Sequence, residues 1–188
     1  MERTIIPCRA ELASMRTDWE VTWRRARLPG LGSQLTSFLW RLLHCLLPTR
    51  ERLHHHTATT SSLCQHCVVR REGEEGSLGT LQHELIDYSS NDNTGNILMT
   101  FLRLQVPDIT AAQALRLEFG EVGEGVEAAL TFLTTATLYK IWMTRQKKET
   151  RVRSTLIRAQ LEACVAILRH TRHQNLYTGL QLLTYTPR

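Results

Sequence analysis

The chain of 188 residues lacks the sequence signatures of the common catalytic sites. It contains no Gly-x-x-x-x-Gly-Lys-Ser/Thr or Gly-x-Gly-x-x-Gly phosphate loop, no Gly-x-Ser-x-Gly nucleophile elbow and no aromatic-x-Asp-Asp polymerase signature. Its acidic residues are scattered or clustered in the loop Glu72–Glu75, and none pairs with a basic catalytic partner. The length is also too short for a polymerase with palm, fingers and thumb. We therefore expect no catalytic activity of its own.

Long apolar runs and a dense cysteine set are also missing. The longest uncharged stretch of the apolar C-terminal half, Ala128–Tyr139, is shorter than the roughly 20 apolar residues that a membrane-spanning helix needs. The first residues form no apolar segment of the kind found in secretory signals. Five cysteines, an odd number, argue against a secreted disulfide framework. We expect a protein of a reducing intracellular compartment, nucleus or cytoplasm, without a membrane segment.

What the sequence does contain is enough apolar material for a core, 42% of residues, arranged with helical periodicity. Apolar residues recur at steps of three and four from Leu35 to Leu46, before Pro48 ends the pattern. Two further helices are predicted, Val126–Gln146, with a threonine-rich part that favours irregular structure, and Val152–His170. The fold prediction is mainly α: a small helical domain with a Cys/His knuckle loop, followed by a C-terminal helical hairpin.

The sequence predicts three regions and several local features. The regions are an N-terminal extension (1–17), a module that carries Cys64, Cys67 and His83 (18–106) and a C-terminal helical segment (107–188). Trp19 and Trp23, four residues apart, share one helix face and are expected to cover a core. Thr110 and Gln113 fit a capping box that opens a helix from 110 to 119. The segment 54–62 is predicted as a loop, 80–88 as a short helix, and 97–106 as either helix or strand.

Charge is divided into blocks along the chain. Residues 1–60 carry nine arginines and five acidic residues, a charge of +4, whereas residues 61–135 carry four arginines and eleven acidic residues, a charge of −7. Residues 136–188 carry ten Lys/Arg and two acidic residues, a charge of +8. The basic tail is either a solvated helix face or a surface that contacts phosphates.

Cys64-Gln65-His66-Cys67, with His83 after 15 intervening residues, is the one constellation of residues that indicates chemistry. Two thiolates on a tight turn, closed by a distant imidazole, are ligands that zinc prefers. A structural zinc site needs a fourth ligand, for which the choices are His66, Asp87, one of His54–His56, or water. A chance Cys-x-x-Cys pair beside a surface histidine remains the alternative. A redox pair is less favoured, because Thr57–Leu63 does not read as a strand leading into a helix.

Residues 19–90 resemble the zinc-binding module that follows the polymerase in non-LTR retrotransposon reverse transcriptases. The resemblance is carried by Phe38–His44 (Phe-Leu-Trp-Arg-Leu-Leu-His), Leu47–Leu53 (Leu-Pro-Thr-Arg-Glu-Arg-Leu), Cys64-x-x-Cys67 and His83-Glu84-Leu85. The later Leu138–Arg145 is similar to a Trp-x-x-Arg helix often found after that module. The family's final cysteine is replaced by Tyr88, and a longer Arg- and Glu-rich link separates Cys67 from His83.

The resemblance implies a zinc-stabilised accessory module, without catalysis of its own, that helps a parent reverse transcriptase engage RNA or DNA. It implies zinc ligands Cys64, Cys67 and His83. The basic residues expected to contact nucleic acid are Arg50, Arg52, Arg70, Arg71, Lys140, Arg145, Lys147, Lys148, Arg151 and Arg153. Two alternatives stay open: a metal-free helical interaction protein, favoured by the missing fourth cysteine, and a decayed retrotransposon fragment. The oligomeric state is not predicted.

Overall fold

Helices form nearly all the regular structure of the described part of the protein. The computed structural model describes residues 19–28, 30–57, 59–64, 67, 77–87 and 94–146. These residues contain no strand, only an isolated antiparallel bridge between Leu63 and Leu78. The prediction of a mainly α fold is therefore confirmed. The helices are α1 (Trp19–Ala26), α2 (Gly32–Leu43), α3 (Arg50–His56), a π-helical turn (His83–Asp87), α4 (Thr94–Gln105), α5 (Ala111–Leu115) and α6 (Glu124–Gln146). The predicted extension 1–17 and the second hairpin helix, Val152–His170, lie outside the described residues.

The amphipathic pattern predicted for α2 is present, but the helix ends five residues before Pro48. Phe38, Leu39 and Leu42 are buried as predicted. The helix closes at Cys45, which adopts a left-handed conformation with φ 53°. The Cys45 amide donates to the Leu42 carbonyl (3.0 Å), and the next amide donates to the Arg41 carbonyl (2.7 Å). This is a Schellman cap, and it leaves Leu46, which was predicted on the buried stripe, outside the helix and 38% exposed.

Helix α6 is the central element, because α1, α2, α4 and the π turn all pack against it. Every residue from Ala128 to Leu138 is buried, including Thr131, Thr134 and Thr135. A helix buried on all sides needs no polar face. The prediction of a long helix over Val126–Gln146 is confirmed, and its threonine-rich part is helical as well, since the helix is continuous from Glu124 to Gln146. Burial against its neighbours outweighs the weak helix propensity of threonine.

Helix α1 is attached to α6 by a buried charge pair. The Arg25 guanidinium faces the Glu127 carboxylate, with Nε 3.0 Å from Oε1 and Nη2 3.0 Å from Oε2. Arg25 also donates to the Leu117 carbonyl and lies over the Phe119 ring, 5.5 Å from its centroid. The predicted role of the two tryptophans is met in part: Trp23 packs against the core, while Trp19 is 40% exposed.

Other local predictions have mixed outcomes. The capping box is present, with the Gln113 amide donating to Thr110 Oγ1 (3.2 Å) and the Thr110 amide donating to Gln113 Oε1 (2.9 Å), although α5 ends at Leu115. The segment left open between helix and strand is the helix α4. His54–His56 belong to α3 and not to a loop.

None of the described helices is both long and apolar enough to cross a membrane.

Candidate metal centre

The Cys-x-x-Cys turn begins where two short segments pair. The Cys64 amide donates to the Ser77 carbonyl (2.9 Å), and the Gly79 amide donates to the Ser62 carbonyl (2.8 Å), on either side of the Leu63–Leu78 bridge. The Cys67 amide then donates to the Cys64 carbonyl (3.1 Å). This bond closes a tight turn that brings the two cysteines to one side.

The π turn presents His83 to these cysteines. Thr80 begins this turn: its Oγ1 accepts from the His83 amide (3.0 Å), and its carbonyl accepts from the Glu84 amide (2.9 Å). Leu85 and Ile86, the apolar residues after His83, are buried and hold the turn against the core. The predicted short helix over 80–88 is therefore a π-helical turn over His83–Asp87, a geometry frequent at functional sites.

The donor atoms of Cys64, Cys67 and His83 all lie within 4.8 Å of one another. Cys67 Sγ is 3.2 Å from His83 Nε2, and Cys64 is buried while Cys67 is half-buried. The described cysteines, Cys45, Cys64 and Cys67, form no disulfide bonds with one another. The sequence prediction that these three residues meet is confirmed, and together they can hold a metal ion that accepts thiolate and imidazole ligands.

Arg145, near the end of α6, reaches the same cluster. Its Nη2 atom lies 3.5 Å from Cys64 Sγ, and the contact is partly buried. The sequence assigned Arg145 to phosphate contact, whereas the structure places its guanidinium beside a metal-ligand candidate. A positive charge here offsets the negative charge of thiolate ligands, and a donor beside a ligand atom helps to orient it. No local pattern in the sequence indicated this contact.

Glu84 joins the metal centre to α3, a contact that the sequence did not predict. Its Oε1 atom accepts from the backbone amide of Arg50 (2.9 Å), so this carboxylate satisfies a free amide at the start of α3. Burial raises the pKa of the Glu84 carboxyl, opposed by the Arg50 hydrogen bond and by the nearby charges of Arg145, His83 and Arg50. The only signal in the sequence was an acidic residue directly after His83 and before two apolar residues.

Three of the other predicted nucleic-acid contacts, Arg50, Arg52 and Lys140, lie within the described residues. Arg50 and Arg52 are half-buried on α3, where the Arg52 guanidinium donates to the Cys45 carbonyl. Lys140 is half-buried on α6. Six of the predicted contacts lie outside the described residues: Arg70, Arg71, Lys147, Lys148, Arg151 and Arg153.

Within the described residues, the structure removes two of the predicted choices for a fourth metal ligand. Asp87 is exposed and its Oδ2 accepts from Gln82 Nε2 (3.0 Å); neither Asp87 nor His54–His56 joins the cluster of three donors found in this part of the chain. His66 and Tyr88 lie outside the described residues.

Comparison of the chain with known protein families, with curated proteins and with solved structures finds no match.

Proposed function

We propose that the chain is a zinc-stabilised, non-catalytic module that associates with nucleic acid, in the manner of the reverse transcriptase zinc-binding modules that its sequence resembles. The observation that carries the proposal is the convergence of Cys64, Cys67 and His83, with all donor atoms within 4.8 Å. Residues from a loop and from a separate π turn meet there, 16 positions apart for Cys67 and His83. On this proposal the metal has a structural role, and the protein acts by binding nucleic acid and not by catalysis.

The donor set favours zinc over other ions. Two thiolates and an imidazole form three-quarters of a Cys/His zinc site. Zinc bonds of about 2.3 Å to sulfur and about 2.0 Å to nitrogen place tetrahedral donors roughly 3.5–3.8 Å apart. The three donors lie within 4.8 Å of one another, with Cys67 Sγ and His83 Nε2 at 3.2 Å, so zinc needs only small shifts of these side chains. Hard ions such as Mg²⁺ and Ca²⁺ take oxygen ligands instead.

Zinc at this place would link the loop that carries the cysteines to the π turn. When bound, zinc supplies ligand bonds whose free energy becomes folding free energy. Cys64 and Cys67 anchor the loop, His83 anchors the π turn that packs on α4 and α6, and Arg145 donates to Cys64 from α6. The metal would therefore hold the loop on the helical core.

The nucleic-acid part of the proposal is supported by charge. Residues 136–188 carry ten Lys/Arg against two acidic residues, which suits contacts to phosphates that position a strand without reading its sequence. By the resemblance, such contacts would help a parent reverse transcriptase engage RNA or DNA.

The test is the salt dependence of binding by the zinc-loaded full-length chain. Fluorescence anisotropy with a labelled single-stranded RNA of about 20 nucleotides, and with the matching DNA, gives the affinity. Release of counterions predicts a loss of about a hundredfold or more between about 50 mM and about 200 mM salt. Affinity that stays flat over this range, or no binding at the lower salt, would contradict the proposal.

A further inference from the structure

Four aromatic rings from two helices form one continuous row on the surface of the protein. Trp19 and Trp23 of α1 stack with ring centroids 6.0 Å apart, and Trp23 lies 5.0 Å from His44, which caps α2. His44 in turn lies 4.4 Å from Trp40 of α2. We call this row, Trp19–Trp23–His44–Trp40, the aromatic row.

The two ends of the aromatic row are open to solvent. Trp40 is 50% exposed and Trp19 is 40% exposed, and His44 is also exposed, while Trp23 packs against the core. A tryptophan contributes most when it is buried, so two half-exposed indoles in one row mark a surface that gains from a partner. The half-buried Trp23 and the backbone bond from the His44 amide to the Trp40 carbonyl (3.1 Å) fix the row in place.

The charges around the aromatic row are positive. Arg27 follows Trp23 by four positions on the same side of α1, and its amide still bonds to the Trp23 carbonyl (3.2 Å). Arg41 precedes His44 by three positions, a spacing that places the two residues on one side of α2, and both Arg27 and Arg41 are exposed. Residues 19–44 carry four arginines against one acidic residue, Glu20. Arg25 is engaged with Glu127, whereas Arg24, Arg27 and Arg41 are exposed.

We propose that the aromatic row is a stacking surface for the unpaired bases of a single-stranded nucleic acid. Aromatic faces flanked by arginines bind single strands because every base has a π face and the arginines contact the phosphates. Bases in a duplex keep their faces stacked on each other, so this surface selects unpaired segments. The inference rests on the proposed function and deepens it: it names single strands as the ligand and assigns base contact to α1 and α2, while the phosphate contacts stay assigned to the basic tail.

Tryptophan fluorescence reports directly on this surface. Of the four tryptophans in the chain, three are in the aromatic row, and the fourth, Trp142, is buried at 7% exposure. The experiment uses the zinc-loaded full-length chain with Trp142→Phe, so that the remaining emission comes from the aromatic row. It is titrated with a single-stranded oligouridine and with an abasic strand of the same length. We expect the oligouridine to quench most of the emission and to bind about tenfold more tightly than the abasic strand, which offers phosphates without bases.

Matched variants separate stacking from general apolar contact. Trp40→Leu keeps an apolar side chain but removes the π face, and is expected to lower affinity for oligouridine about tenfold. Trp40→Phe is expected to retain most of the affinity. Leu104→Ala, at an apolar side chain 72% exposed on α4, serves as the control and is expected to bind like the parent chain. The dependence of affinity on salt should be the same in Trp40→Leu, since the phosphate contacts remain.

The outcomes distinguish this inference from the proposed function. Equal affinity for oligouridine and the abasic strand, without quenching, overturns the stacking surface and leaves phosphate binding by the tail intact. Absence of binding to either strand overturns both. Sedimentation velocity measures whether the chain forms a dimer through the aromatic row. If Trp40→Leu dissociates a dimer of this chain while affinity for oligouridine is unchanged, the aromatic row is a protein interface and the inference is wrong.

Discussion

Nη2 of Arg145 lies 3.5 Å from Sγ of Cys64, and this contact ties the end of α6 to a loop 81 positions earlier in the chain. The guanidinium therefore adjoins the cluster that Cys64 forms with Cys67 and His83. A metal ligand with such a neighbour is held in one orientation by the protein before the ion arrives. The contact therefore makes the last turn of α6 part of the metal centre.

Replacement of Arg145 should weaken metal binding without abolishing it. We expect Arg145→Gln to lower zinc affinity about tenfold, the lower end of the effect of residues that support metal ligands. Arg145→Lys keeps the positive charge but loses the planar guanidinium donor, so its zinc affinity should lie between those of Arg145→Gln and the parent chain. Competition with a chromophoric chelator measures the affinity, and Arg103→Gln, at an exposed arginine of α4, is the control. Wild-type affinity in Arg145→Gln would show that the contact does not support the site.

Gly95 is required for the close packing of α4 on the π turn. A Cβ atom added there would lie 2.2 Å from the Ile86 carbonyl oxygen and 2.7 Å from its Cα. Because both atoms are backbone, the π turn must shift, and His83 shifts with it. We expect Gly95→Ala to destabilise the protein by about 3 kcal/mol and to lower its zinc affinity.

The matched control for this change is Gly123→Ala. Nothing lies within 4 Å of a Cβ atom built on Gly123, so the substitution should be neutral or stabilising by about 0.5 kcal/mol through the unfolded chain. Urea denaturation of both zinc-loaded variants measures the difference. Equal stabilities would mean that α4 and the π turn do not meet as described.

The charge pair of Arg25 and Glu127 should make stability depend on pH in the acidic range. The hydrogen bond from Arg25, aided by the charges of Arg25 and Arg24 and opposed by burial, lowers the pKa of Glu127 below its ordinary value of 4.5. The folded state thus binds fewer protons than the unfolded state, so the contribution of the pair is complete at neutral pH. It is lost as the pH falls below about 4.5 through the lowered pKa.

Glu127→Gln removes this dependence. Because it leaves the buried Arg25 without its charged partner, we expect a loss of roughly 2 kcal/mol at neutral pH, shrinking as the pH falls below about 4.5. Glu121→Gln, at an exposed glutamate, is the control and should follow the parent chain. Denaturation curves collected from neutral to acid pH measure the difference, and a constant offset for Glu127→Gln at every pH would exclude the pair as its source.

The sequence was most informative where the signal is local. The stripe of α2, the Thr110–Gln113 capping box and the Cys64, Cys67 and His83 set each depend on residue types at short or familiar spacing, and each is present. The extent of α3 was missed because Thr49, whose Oγ1 accepts from the Arg52 amide (3.4 Å), starts a helix that continues through three histidines of modest helix propensity.

Features that depend on distant packing were not predictable. Arg145 and Glu84 belong to motifs that carry the resemblance, but the sequence did not predict their contacts, because their partners lie far away: 81 positions to Cys64 and 34 positions to Arg50. The burial of Thr131, Thr134 and Thr135, which share one face of α6, likewise follows from tertiary packing and not from periodicity. The row formed by Trp19, Trp23, His44 and Trp40 was visible only as separate helix faces until α1 and α2 were placed side by side.

The zinc content of the purified chain tests the central claim most directly. After loading with zinc and dialysis, native mass spectrometry should find one zinc ion per chain in the parent protein and in Cys45→Ser, whose cysteine is buried elsewhere. Cys64→Ser and Cys67→Ser should each lose the bound ion. A parent chain without zinc, or a Cys64→Ser variant that keeps it at the parent level, would contradict the account.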